Sequence, residues 1–250
     1  MHFVFFVGTA GSGKSTLTSI FSEKLREWEF DVATVNLDPG VSWLPYAPDV
    51  DIREFVDIYK VMEAYQLGPN GALVACVDIA TSKADQLREE IEMLKPDYVL
   101  VDTPGQMELF AYRNSGLFMA SALSQGDYCI VFLVDAMFAE RPADFLSALL
   151  LSSSIQSRFQ APQINVVSKK DLLSKETLGK VYKWVEEPER LIDELALEEK
   201  GMRRELACKL FESLSELGLL SSFFAVSSTT GEGLDELHAE LQRVFERGEV

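Results

Sequence analysis

A chain of 250 residues with 47% hydrophobic and 25% charged residues is long enough for one large α/β domain and has the balance of a soluble globular protein. Its net charge of −17 argues against a broad nucleic-acid-binding face or an anionic membrane surface, because both select basic patches. Cys76, Cys129 and Cys208 are scattered without paired spacing, so neither a disulfide frame nor a zinc site is expected, and a reducing, cytoplasmic setting is. His2 and His238 are far apart and read as structural or surface residues, and no basic leader or apolar run of membrane-spanning length is seen.

The first predicted strand, "FVFFV" (3–7), runs straight into "GTAGSGKSTL" and a helical pattern. Gly8, Gly11 and Gly13 let the backbone fold tightly around a phosphate with its N–H groups pointing inward. Gly11, Ser12, Gly13, Lys14, Ser15 and Thr16 form the nucleotide-binding run. Lys14 places a point charge on the β- and γ-phosphates, and the Ser15 hydroxyl can ligate magnesium. The helix adds its positive N-terminal end. A strand before and a helix after make this a nucleotide-phosphate site.

The second strand, "VATVN" (32–36), leads to Asp38. Preceding Pro39, Asp38 is biased toward an extended backbone that would aim its carboxylate out of the sheet edge, while Asp-Pro-Gly is equally an ordinary turn. Both readings stand. Trp43 and Tyr46 in the following Pro-rich loop are expected to pack over a neighbouring surface, with a partner as the alternative. Two helical segments come next, separated by Gly68-Pro69-Asn70. A Gly-Pro pair ends a helix and Asn before Gly can begin another, so this run reads as a turn.

The third strand, "YVLVD" (98–102), ends in Asp102 and continues Thr-Pro-Gly-Gln. A carboxylate closing a buried apolar strand is costly unless it meets a cation, and magnesium, reached directly or through a water, would explain it. Gly105 can bring its N–H to a γ-phosphate, and the Gln106 amide can orient a water. Beside the phosphate loop, this segment reads as the γ-phosphate sensor.

Strands "YCIVFLV" (128–134) and "QINVV" (163–167) follow, the second ending in Ser168-Lys169-Lys170-Asp171. This resembles the Asn-Lys-x-Asp guanine-specificity motif of GTPases, with serine in place of asparagine. One carboxylate, Asp171, can accept from both guanine N1–H and the exocyclic amine, and Lys169 can lay its aliphatic stem along the base. Residues 174–222 carry more helices, punctuated at Pro188 and Gly201, with Gly218 near the end. The strand "FFAV" (223–226) then delivers Ser227-Ser228-Thr229, similar to the GTPase Ser-Ala-Lys motif whose backbone N–H meets guanine O6. Leu234, Leu237, Leu241, Val244 and Phe245 recur at helical spacing in the last helix and read as core.

Near-continuous apolar strands alternating with helices predict an α/β fold with a mostly parallel central sheet. The long, largely helical stretch 37–97 fits a crossover between parallel strands, unlike the short antiparallel connection of Ras-like GTPases. It resembles the signal-recognition-particle/MinD branch of P-loop NTPases, although Thr9 stands where MinD-type ATPases carry a signature lysine. One domain, 1–250, is expected, with helical insertions at about 50–95 and about 174–222.

Taken in order, the P-loop, "NLDP", "GPN", "DTPGQ", the approximate Asn-Lys-x-Asp and "SSTTGEG" resemble the GPN-loop GTPases, and most of all a short archaeal-type member. The resemblance implies hydrolysis of GTP to GDP and phosphate by a homodimer. In it the Gly68-Pro69-Asn70 tip enters the partner's site, with Asn70 at a phosphate or the attacking water. Asp38, Asp102 and Gln106 would hold magnesium and the water from the home chain, Ser15 and Asp102 being the metal ligands. It further implies a role in assembling a protein complex, with RNA polymerase subunits as clients and no direct contact with nucleic acid or membrane. The alternative is a nucleoside or small-molecule kinase on the same P-loop, with Arg190, Arg203 and Arg204 available to a lid.

Overall fold

Among the described residues, seven strands are laid down in chain order as β1 (His2–Gly8), β2 (Val32–Asn36), β3 (Val50–Asp51), β4 (Tyr98–Asp102), β5 (Tyr128–Asp135), β6 (Gln163–Ser168) and β7 (Phe223–Ala225). They form one sheet in the order β3-β2-β4-β1-β5-β6-β7, and every pair is parallel. The computed structural model describes residues 1–198, 200–216 and 223–247, so the expected break at Gly218 lies outside them.

Parallel strands need crossovers, and helices supply them. Helix α1 (Lys14–Glu27) joins β1 to β2. The stretch between β2 and β4 carries β3 and then α2 (Ile52–Phe55), α3 (Ile58–Tyr65), α4 (Pro69–Thr81) and α5 (Ala84–Leu94). Helices α6 (Met107–Ala111) and α7 (Asn114–Ser124) connect β4 to β5, and α8 (Pro142–Phe159) connects β5 to β6. Between β6 and β7 stand α9 (Lys175–Glu186), α10 (Pro188–Glu198) and α11 (Met202–Glu216), and α12 (Leu234–Arg247) comes last. Among the described residues no helix is long and apolar enough to cross a membrane.

Alternation along β1 shows how the two faces are covered. Phe3, Phe5 and Val7 join the core under α4–α8, while Val4 and Phe6 join the core under α1 and α12. The leucines of the last helix pack in that second layer, as their spacing predicts. All six expected strands are present. The short edge strand β3 is an addition, and its two residues are too few for any periodic pattern.

From β1 the chain crosses to β2 on one side, and from the adjacent β4 it crosses over β1 to β5 on the other, which opens a crevice at the strand C-termini. Register sets what faces that crevice: Asp102 lies level with Phe6 and Asn36, and Asp135 lies level with Ser168.

The Gly-Pro-Asn run forms the turn read from the sequence. Helix α3 closes at Gln66 in the left-handed region (φ 52°), Gly68 is extended, and Pro69 opens α4 where its missing N–H leaves no bond unmade. Gly68, Pro69 and Asn70 are all exposed. Two contacts seat this helix. A Cβ on Gly40 would lie 2.4 Å from the Leu73 side chain, so α4 leans on the loop after Asp38. Further along, Asp78 is ion-paired with Arg113 (2.7 Å), at the junction of α6 and α7. At that junction a Cβ on Gly116 would fall 1.9 Å from the Phe110 carbonyl oxygen, so only glycine allows the two helices this approach.

Candidate nucleotide site

The phosphate end is built by the turn from β1 into α1. Gly11 and Gly13 take φ of 79° and 93°, left-handed values that Cβ-bearing residues rarely adopt. The loop wraps inward with the Lys14 ammonium at its centre, where it donates to the Gly8 and Thr9 carbonyls at 3.0 and 3.1 Å. Burial lowers the Lys14 pKa, against the pull of Asp102 and Asp38. Ser12 is fully buried, Ser15 is half-buried and Thr16 is exposed.

Asp102 closes β4 with 1% exposure. Burial pushes its pKa up to about 6, opposed by the neighbouring Ser15 hydroxyl, the Lys14 charge and the Tyr46 bond, with Asp38 adding to the rise. One oxygen, Oδ2, accepts from the Tyr46 hydroxyl at 3.2 Å, and Oδ1 is buried without a hydrogen-bond partner among the described residues. Tyr46 therefore does more than pack over a surface. Burial beside Asp102 raises its own pKa far above the usual range, so its phenol stays a donor. Thr103 anchors the turn that follows by donating to the Phe6 carbonyl at 2.6 Å.

Asp38 resolves its two readings by serving both. Its Oδ1 accepts from Gly40 N–H at 2.9 Å, which makes the turn, and its Oδ2 accepts from Gly105 N–H at 2.9 Å, which carries the carboxylate across the crevice. The Gly105 N–H that sequence reasoning assigned to a γ-phosphate is thus held by Asp38 in this structure. Behind Asp38, Asn36 bridges to Asp51 at 2.9 Å, and Asp51 clasps Arg53. Arg53 in turn donates to the Val41 carbonyl at 3.0 Å. The Arg53 bonds hold the Asp51 pKa below the usual carboxylate range against the effect of burial. Gln106 is exposed at the start of α6, and Asn70 is exposed on the first turn of α4, outside the bonded cluster.

The base end forms where β5, β6 and β7 finish. Asp171 Oδ1 accepts from the fully buried Ser227 hydroxyl at 2.5 Å. Ser227 Oγ also accepts from the Thr229 and Thr230 N–H groups, at 3.2 and 3.1 Å, which fixes the turn carrying half-buried Ser228. Lys169 adopts φ 58°, and its ammonium is drawn 2.5 Å from Asp135 Oδ2, which links the ends of β6 and β5. Ser168, in place of the usual asparagine, donates to the Val134 carbonyl on the adjacent strand at 3.2 Å.

Asp135 was missed by sequence reasoning, although it ends "YCIVFLVD" just as Asp102 ends "YVLVD". The same signal, a carboxylate closing a buried strand, would have found it. Nothing local marks Asn36, Asp51 and Arg53 as one network.

A divalent cation suits the phosphate end. Ser15 and Asp102 offer hard oxygen donors, and Asp102 Oδ1 is a buried carboxylate oxygen with no other partner. Among the described residues no cluster of three or more His, Cys, Asp or Glu could hold a metal alone. Magnesium characteristically takes one or two protein ligands together with phosphate oxygens and water.

A family model described as "Conserved hypothetical ATP binding protein" matches residues 6–247. The chain is 37% identical over 237 residues to the GPN-loop GTPase PAB0955 of Pyrococcus abyssi, covering 94% of this chain and 93% of that protein. It is 32% identical over 252 residues to GPN-loop GTPase 3 of Dictyostelium discoideum, covering 99% and 88%. The crystal structure of PAB0955, described as a GTPase in apo form, matches with a TM-score of 0.87 at 34% identity over 98% of this chain and 97% of that one. Such identity across nearly the full length of both chains, with a glycine-rich phosphate loop and a Gly-Pro-Asn helix start in place, means that the chain belongs to the GPN-loop GTPase family.

Proposed function

We propose that this protein binds GTP and hydrolyses it to GDP and phosphate as a single catalytic unit that works in homodimers, the Gly68-Pro69-Asn70 tip of each chain completing the partner's site. The observation that carries the reading is the Asp38–Gly105 bond, which ties the two loops flanking the phosphate end into one contact. A γ-phosphate reaching Gly105 would take over that N–H and free the Asp38 carboxylate toward the attacking water. Triphosphate and diphosphate would then leave the Asp38 and Gln106 loops differently arranged, as a switch requires.

Lys14 would exchange its carbonyl partners for the β- and γ-phosphates, and the P-loop N–H groups would cradle the chain. Ser15 and Asp102 would hold magnesium, which when bound neutralises charge on the phosphate oxygens. Gln106, free and exposed at the start of α6, would orient the water, and the partner's tip would bring Asn70 to the same place.

The family description names ATP, whereas the curated relatives are named GTPases. The base end supports guanine. Asp171 is a carboxylate with one oxygen held by Ser227, suited to guanine's two donors and opposed to the acceptor at adenine N1. The kinase alternative draws little support, since Arg190 is paired with Glu187 on the α9–α10 surface. Coupling to assembly of a protein complex, with RNA polymerase subunits as clients, rests on family resemblance.

Complementation tests the trans arrangement. Lys14→Ala and Asn70→Ala homodimers should each turn over GTP poorly. In a verified mixed dimer, one site combines an intact P-loop with an intact tip, so about half of the wild-type activity per dimer should return. Absence of recovery would mean that Asn70 acts within its own chain or only starts a helix.

A further inference from the structure

We infer that Tyr46 is a positioning residue for the divalent cation: its phenol fixes Asp102 Oδ2 and so presents Oδ1 to the metal. The inference rests on the reading of Asp102 as a metal ligand. The geometry has three parts. Tyr46 donates to Oδ2 at 3.2 Å across 56 residues of chain, whereas Oδ1 is buried and has no partner. The loop carrying Tyr46 is itself held, by Arg53 at the Val41 carbonyl (3.0 Å) and by Ser19 at the Pro45 carbonyl (3.4 Å). Asp102 itself closes β4 with 1% exposure, and Ser15 on α1 stands near enough to help hold its pKa down, so the group that Tyr46 fixes lies at the phosphate end.

The choice of a phenol has a chemical logic. Lysine or arginine at this place would neutralise Asp102 and oppose a dication. A neutral O–H satisfies one carboxylate oxygen, fixes the rotation of the group and leaves its charge for the metal. Hydrogen-bonded support of a ligating carboxylate is a general requirement of metal sites, and its loss typically costs about 10–100-fold in metal affinity. It also ties the loop between β2 and β3 to the cation, since the loop and the metal would share the two oxygens of one carboxylate.

The test titrates Mg2+ against wild type and Tyr46→Phe in the presence of a fluorescent GDP analogue, and measures nucleotide affinity separately in excess EDTA. The expected result is a Mg2+ midpoint raised about 10–100-fold, with unchanged affinity in EDTA and an unchanged melting temperature of the metal-free protein. An unchanged midpoint means that Tyr46 only packs the loop, and a lowered midpoint means that it competes with the metal; either overturns the inference. Asp102→Asn separates the two levels. If Asp102→Asn abolishes a Mg2+ dependence that Tyr46→Phe leaves intact, the Tyr46 role falls alone. If wild type shows no Mg2+ dependence, the metal reading falls with it. Trp43, 74% exposed in the same loop, gives a readout that needs no change at Tyr46. Adding Mg2+ to the GDP-bound protein should leave its emission unchanged, because the Tyr46 bond is kept. A shift that disappears in Trp43→Phe would show that the loop releases Asp102, and would overturn the inference.

Discussion

Replacing Asp171 by asparagine exchanges one carboxylate oxygen for an NH2 group, which turns an acceptor into a donor and removes the charge. In this structure Oδ1 is engaged by the Ser227 hydroxyl, so guanine's N1–H and amine must share the remaining lone pairs of the group. Each hydrogen bond to a charged acceptor contributes about 1.5–3 kcal/mol, which corresponds to roughly ten- to a hundredfold in affinity. Asp171 is exposed in the free protein, so water competes and the lower part of that range applies to each bond. Losing the charge on both bonds should therefore weaken GTP binding on the order of a hundredfold. The asparagine amide can donate to the extra carbonyl of xanthine, so xanthosine triphosphate should regain much of what GTP loses. Competition against a fluorescent guanine nucleotide measures both affinities with one preparation. If GTP affinity is unchanged, or if GTP and xanthosine triphosphate weaken together, the base pocket lies in another segment.

Three further outcomes are expected. Gln106→Ala should keep GTP affinity near wild type and lower kcat, because an exposed amide that orients a water acts mainly in the transition state; steady-state kinetics beside equilibrium binding would show it, and a raised KM with kcat intact would refute it. Gly116→Ala should destabilise the fold by about 1–3 kcal/mol, because the new Cβ meets the Phe110 carbonyl of α6, and urea unfolding that matches wild type would contradict this. His238 stacks on Trp28, faces Phe30 and reaches the Tyr98 hydroxyl, and burial lowers its pKa below 6.5 against the pull of Asp235. Below 6.5 the unfolded chain binds the proton first, so this contribution is complete above 6.5 and is lost as pH falls. The fall in melting temperature from about pH 7 to about pH 5.5 should be smaller in His238→Gln, and an equal fall would refute the assignment.

What the sequence revealed and what it hid divide along a physical line. Buried parallel strands write themselves as unbroken apolar runs, so β2 and β4 coincide with "VATVN" and "YVLVD" residue for residue. The phosphate loop is legible because strand, glycines, Lys14 and helix are contiguous. By contrast, Tyr46 meets Asp102 across 56 residues and Lys169 meets Asp135 across 34, and no local pattern records a meeting made by the sheet. His2 and His238, distant in sequence, both gather at Tyr98 for the same reason. Asp51 was hidden differently, because a two-residue strand behind Pro48 has no period to read.

The Asp78–Arg113 pair ties the helix that begins at Pro69 to the junction of the two helices that follow Gln106, and the glycine contact at Gly116 holds those two together. In a dimer of the proposed kind, the segment that senses one chain's own phosphate and the finger it lends its neighbour would move as a single lever. A subunit that has finished its chemistry would then withdraw its help from the other, so the two turnovers would be timed against each other. Cutting that ion pair would leave each site chemically whole while uncoupling their clocks.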